Sequence, residues 1–167
     1  MALILVEGIT DRIAVEAVAA KLGRNLAAAG IEVVPIGGAQ AIRRAAAQHE
    51  GEHVVGLCDA GEERWFRRVL GAATFVCAAD LEDELIRALG TARVEEVVAG
   101  EGDLETFRNF QNQPAWRGRP VDAQLRRWLQ ASDRRNKRYP PLLIAALEPE
   151  EIPVPLTGVL EAAGQRT

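Results

Sequence analysis

A chain of 167 residues, 48% of them apolar, is long enough to bury one sizeable core. No stretch approaches the roughly 20 apolar residues that a membrane span needs, and the short apolar run before Glu7 is no signal peptide. The net charge of −4 argues against a general nucleic-acid coat protein but hides an asymmetry. Residues 115–139 hold eight Arg or Lys against two Asp, which leaves twelve basic against 22 acidic residues elsewhere. On charge alone, that basic stretch reads equally well as a phosphate grip or as a solvated helical face.

In chain order, residues 2–6 form an unbroken apolar strand. Residues 11–22 repeat apolar side chains at helical spacing and stop at Gly23. A second strand over 31–36 ends at Gly37-Gly38, and a helix follows over 39–48. A third strand over 53–58 ends at Asp59 and leads to a helix over 62–70. A fourth strand over 73–78 ends just before Asp80, which opens a helix over 81–89. Continuous apolar strands separated by helices predict a mainly parallel four-stranded α/β sheet covered on both faces. Right-handed crossovers then bring all four strand ends to one edge. Beyond Gly90 the pattern is helical, over 92–99, 104–110, 121–130, 142–147 and 156–163, with Gly and Pro clusters between. This predicts a core over 1–91 and a helical elaboration over 92–167 packed against it.

The chemistry gathers at that predicted edge. Strand one delivers Glu7 and Asp11, strand three Asp59 with Glu62 and Glu63, and strand four Asp80 with Glu82. Ligands collect at the carboxyl ends of strands in open α/β sheets. Several carboxylates brought together cannot all stay ionised without cations, and magnesium prefers oxygen donors of this kind. Gly37 and Gly38 would let backbone amides approach an anion. Taken singly, each acid also has a structural reading. Asp11 suits a helix dipole, Asp80 with Asp83 looks like an N-cap, and Glu62 and Glu63 are ordinary first-turn acids. Cys58 and Cys77 lack metal-ligand spacing and read as reduced core thiols of a cytoplasmic protein. His49 and His53 read as surface residues, Tyr139 as a packing residue, and Trp116 and Trp128 as core residues that could alternatively stack bases.

The segments Leu-Val-Glu-Gly-Ile-Thr-Asp, Pro-Ile-Gly-Gly, Leu-Cys-Asp and Ala-Asp-Leu-Glu together resemble a Toprim domain. The resemblance is to the OLD type and its small stand-alone actinobacterial relatives. It spans residues 3 to about 90, and the stand-alone relatives also share the segment 107–120. It implies a Rossmann-like fold and magnesium- or manganese-dependent phosphodiester chemistry with two ions. Glu7 would serve as metal ligand or general acid/base, with Asp11, Asp59 and Glu82 as further ligands. Glu62 and Asp80 complete the expected metal set. Lys137 would match a late lysine near the scissile phosphate. Arg117, Arg119, Arg126, Arg134 and Arg135, with Gly37 and Gly38, would hold the nucleic-acid backbone.

One departure matters. Where the family has the second Asp of an Asp-x-Asp pair, this chain has Gly61, so one ligand is missing. Either Glu62 or Glu63 reaches in, or the domain has become a non-catalytic module that binds nucleic acid or a partner protein. The connection over 66–73 is also shorter than in the stand-alone relatives. No Gly-x-x-x-x-Gly-Lys-[Ser/Thr] loop is present, so an ATPase partner would be separately encoded. The expected partners are therefore nucleic acid (DNA ahead of RNA), such an ATPase, and a second copy of the chain in a homodimer, with no membrane.

Overall fold

A computed structural model describes residues 1–165. Its strands are β1 (Ala2–Val6), β2 (Ile31–Pro35), β3 (His53–Asp59) and β4 (Thr74–Cys77), paired in the order β2-β1-β3-β4 and parallel throughout. The sheet helices are α1 (Ile9–Lys21), α2 (Ile42–Gln48), α3 (Glu63–Leu70) and α4 (Leu81–Leu89). Then come α5 (Thr91–Gly100), α6 (Leu104–Gln111), α7 (Val121–Gln130), α8 (Asp133–Ala146) and α9 (Val154–Gly164). Short 3-10 turns at Ala39–Ala41 and Ala60–Glu62 lead into α2 and α3.

The strands read as unbroken apolar runs because both faces are covered, and alternate residues feed two cores. Ile4, Val6, Val55 and Leu57 point into the larger one, with α1, α4, α8 and α9. Leu3, Leu5 and Cys58 point into the smaller one, with Ile42 of α2 and Phe66 of α3. Against Gly56 of β3 the packing is so close that an added Cβ would lie 2.8 Å from the Phe66 ring. Helix α9, although last in sequence, lies on β1, β3 and β4, so the C-terminal helices share one core with the sheet.

Helix α8 corrects the expectation of a helix over 142–147. It begins at Asp133, capped by Ser132, and runs through Pro140 and Pro141. Helix interiors disfavour proline because it lacks an N–H and its ring crowds the preceding turn. Here tertiary contacts override that preference. Tyr139 and Pro140 are buried, the Tyr139 hydroxyl donates to Asp103 Oδ2 at 2.6 Å, and Arg134 bonds both oxygens of the same carboxylate. Tyr139 is thus a packing residue, as expected, and Trp128 lies in the core. His53 is half-buried rather than on the surface, with Nε2 2.8 Å from the Ala162 carbonyl, which ties β3 to α9. Cys58 and Cys77 are buried free thiols, and burial pushes Cys58 up to about 12. Among the described residues no helix is long and apolar enough to cross a membrane.

Candidate metal centre

The carboxyl end of β1 carries Glu7, and its backbone is pinned by the turn after β2. Gly37 and Gly38 adopt φ of 76° and 115°, conformations that favour glycine. Their N–H groups donate to the Glu7 carbonyl at 3.0 and 3.2 Å. Both amides expected to receive an anion are therefore already in use. Their effect is to fix Glu7 at the edge of the sheet.

Glu7 faces the end of β3. Carboxylate oxygens of Glu7, Asp59 and Glu62 all lie within 4.8 Å of one another, and all three side chains are half-buried. Glu62 closes the 3-10 turn after Asp59, and its carboxylate turns toward those of Glu7 and Asp59. Glu63 is instead ion-paired with Arg67 one turn along α3. The two adjacent glutamates thus point to different neighbours.

A cleft of about 460 Å³ continues from this triad and is lined by Glu7, Asp11, Asp59, Glu82 and Asn136. Asp11 accepts the Gly8 N–H at 2.9 Å, so one of its oxygens caps α1. Glu82 accepts from Gln130 at 3.2 Å. Asn136, from α8, contributes a buried Oδ1 with no hydrogen-bond partner among the described residues. Burial and mutual repulsion make ionisation of this group of acids difficult. Asp59 is pushed up to about 8, first by burial and then by Asp11, Asp80 and Glu82. Asp11 is pushed up to about 6 for the same first reason. Glu7 and Glu82 are also raised, by burial foremost. An all-oxygen set that resists holding its own negative charge fits a hard divalent cation.

Asp80 departs from its expected place among the ligands. Its Oδ1 caps α4 through the Asp83 N–H at 2.9 Å. Its Oδ2 receives Arg126 Nε at 2.7 Å and Gln130 Nε2 at 2.9 Å. Both oxygens are thus engaged, Oδ1 in the α4 cap and Oδ2 in tying α7 to the end of β4 through Arg126 and Gln130.

The rest of the basic stretch is turned largely onto its own scaffold. Arg134 holds Asp103, Arg138 pairs with Glu101, and Lys137 Nζ bonds Asp133 at 3.0 Å. Arg135 lies 4.5 Å over the Trp128 ring and donates to the Trp128 carbonyl at 2.8 Å. Arg117 and Arg119 donate to the carbonyls of Asn112 and Ala115. Lys137 does not line the acidic cleft; its neighbour Asn136 does. Sequence reasoning missed Asn136 and Gln130, since an amide in a basic run carries no signal until the helix phase is known. It also missed Trp65 and Arg44, which line a second cleft that begins at Glu7 and Glu62.

Comparison with known proteins bears on the fold. Residues 1–54 match the family described as "Overcoming lysogenization defect protein-like, TOPRIM domain". Among curated proteins no match to the sequence is found. The C-terminal region of the Burkholderia pseudomallei OLD protein superposes with a TM-score of 0.68 at 18% identity, covering 96% of both chains. The C-terminal region of the Xanthomonas campestris pv. campestris OLD protein superposes with a TM-score of 0.68 at 20% identity, covering 97% of this chain and 91% of that one. At such identities the likeness is one of fold. The first third of the chain thus matches the OLD-like Toprim domain in sequence, and nearly its whole length has the fold of the C-terminal regions of OLD proteins.

Proposed function

We propose that this domain hydrolyses phosphodiester bonds in nucleic acid, DNA ahead of RNA, with magnesium or manganese held at the strand edge. The observation that carries the reading is the Glu7–Asp59–Glu62 triad, three carboxylates converging within 4.8 Å. These residues would hold one ion. Asp11, Glu82 and the unpartnered Asn136 Oδ1, which line the same cleft, would supply oxygens for a second. When bound, such ions activate the attacking water and neutralise charge on the leaving oxygen. Glu7, at the junction of both clefts, would either hold metal or accept the proton of an attacking water on its carboxylate. Gln130 positions Glu82, and the Gly37 and Gly38 amides position Glu7. The buried thiols of Cys58 and Cys77 suit the reducing cytoplasm. The reading extends to a separately encoded ATPase partner and to a homodimer, which co-purification and sedimentation would test.

The test is cleavage of supercoiled plasmid and labelled oligonucleotides with manganese. Nicking should disappear with chelator and fall at least about a hundredfold in Asp59→Ala, a group central to the ion site. Metal-independent nicking, or equal nicking by Asp59→Ala, would contradict the proposal. Gly61 favours a second reading, a non-catalytic module that keeps the fold and binds nucleic acid or a partner. A Cβ at Gly61 would meet nothing within 4 Å, so Gly61→Asp fits the turn. Cleavage by Gly61→Asp alone, with none by the natural chain, would establish the module.

A further inference from the structure

Among the described residues, four arginines with neither an ion pair nor a side-chain hydrogen bond gather on one face outside the basic stretch. Helix α2 presents Arg43 and Arg44, and α3, packed beside it, presents Arg64 and Arg68. All four are exposed, and among the described residues none has a side-chain hydrogen bond or salt bridge. At their centre stands Trp65, half-buried against the smaller core. Arg64 lies over its ring, 5.0 Å from the centroid. Trp65 and Gln40 form a wall shared by two hollows. One, about 620 Å³, runs from Glu7 and Glu62 past Arg44. The other, smaller, is bordered by Arg43 and Arg68. Among the described residues the only acids lining either hollow are Glu7 and Glu62 of the candidate metal centre, while Glu63 nearby is paired with Arg67.

Uncompensated guanidiniums beside a partly exposed indole suit one kind of ligand. Phosphates take the charges, and an unstacked base takes the aromatic surface. A duplex keeps its bases stacked on one another and offers nothing to the indole. We infer that the α2–α3 face binds single-stranded nucleic acid. A base lies against Trp65 beside Gln40, Arg44 holds the phosphate nearest the acids, and Arg43, Arg64 and Arg68 hold the flanking ones. The larger hollow then leads the strand to Glu7 and Glu62, beside Asp59. This inference rests on the nucleic-acid reading above for the identity of the ligand, but it requires neither metal nor cleavage.

The experiment is fluorescence anisotropy with labelled oligothymidylate and a duplex of equal length, in chelator. The natural chain should bind the single strand more tightly. Trp65→Ala should weaken that binding about tenfold, and Trp65→Phe should restore most of it. Because Trp65 is half-buried, Arg64→Gln with Arg68→Gln serves as a surface test that leaves the core intact. That pair should lower the salt slope by about 1.4, the share of two phosphates on a single strand. Arg117→Gln with Arg119→Gln should leave affinity within about twofold, as expected of side chains bonded to their own backbone. Equal binding of duplex, or an unaltered slope in the Arg64/Arg68 variant, would overturn the inference. Metal-dependent cleavage without these effects would sink this inference alone. The expected binding without any cleavage would sustain it while the nuclease reading fails.

Discussion

Glu62 and Glu63 carry the same side chain on adjacent residues, yet the turn into α3 sends them to different partners. Glu62 joins Glu7 and Asp59, whereas Glu63 pairs with Arg67 along the helix. On the proposed reading, the acid that stands in for the missing aspartate is chosen by the 3-10 turn at Ala60–Glu62, not by chemistry. Gly61 lies on that turn with open space around it, and Gly61→Asp should raise manganese affinity, read by calorimetry, by about tenfold through one further anionic ligand. Asp80 shows the opposite case, an acid at the expected place whose oxygens are both engaged elsewhere. Replacing it with Ala removes the α4 cap and leaves Arg126 and Gln130 without their acceptor. Asp80→Ala should cost about 2 kcal/mol in chemical denaturation and change manganese affinity little. A large loss of affinity with unchanged stability would return Asp80 to the metal set.

At the scale of elements, the sheet was readable because its strands are short apolar runs that stop at Glu7, Gly37, Asp59 and Asp80. Three of these stops are the acids of the strand edge, so fold and candidate site were legible together. Helix α8 was not. Pro140 and Pro141 deprive the Asn136 and Lys137 carbonyls of helical donors, and local rules end a helix there. Buried Tyr139 and the ion pairs to Asp103 and Glu101 hold it continuous, and those are long-range contacts that no local pattern shows. The misplaced helix carried a misplaced residue. With α8 in its true phase Asn136 faces the cleft and Lys137 faces Asp133. The close packing of α3 on β3 offers a check on the smaller core. Gly56→Ala drives a methyl against Leu70 and the buried Phe66 ring, and should destabilise by about 2 kcal/mol in denaturant unfolding.

Across the whole molecule, charge is distributed differently from its distribution along the chain. The eight cations of residues 115–139 are spent mostly on fastening helices, while four unpaired arginines from two separate segments meet around Trp65. No run of sequence advertises that surface, since Arg43 and Arg68 border one hollow only when α2 packs on α3. The acids at the other side of Glu62 set the pH response of the whole fold. Asp59 is pushed up to about 8 in the folded chain, against about 3.9 when unfolded. The folded state therefore holds the extra proton between those values. Without metal, stability should fall as pH rises through that window. Thermal melts of metal-free protein should show Tm declining from pH 5 to pH 8, about the span of that titration, and manganese should recover the loss at the upper end. A Tm that rises over the same range would mean the acids are already neutralised by the protein.

The central claim is that the strand-edge carboxylates form a working cation site although Gly61 offers no ligand, with Glu62 supplying the oxygen. Manganese titration by calorimetry, on the natural chain, Glu62→Gln and Glu63→Gln, addresses it most directly. The account predicts saturable binding by the natural chain, a loss of about tenfold or more in Glu62→Gln, and unchanged binding in Glu63→Gln. Equal affinity in Glu62→Gln, or no binding by the natural chain at millimolar metal, would contradict it.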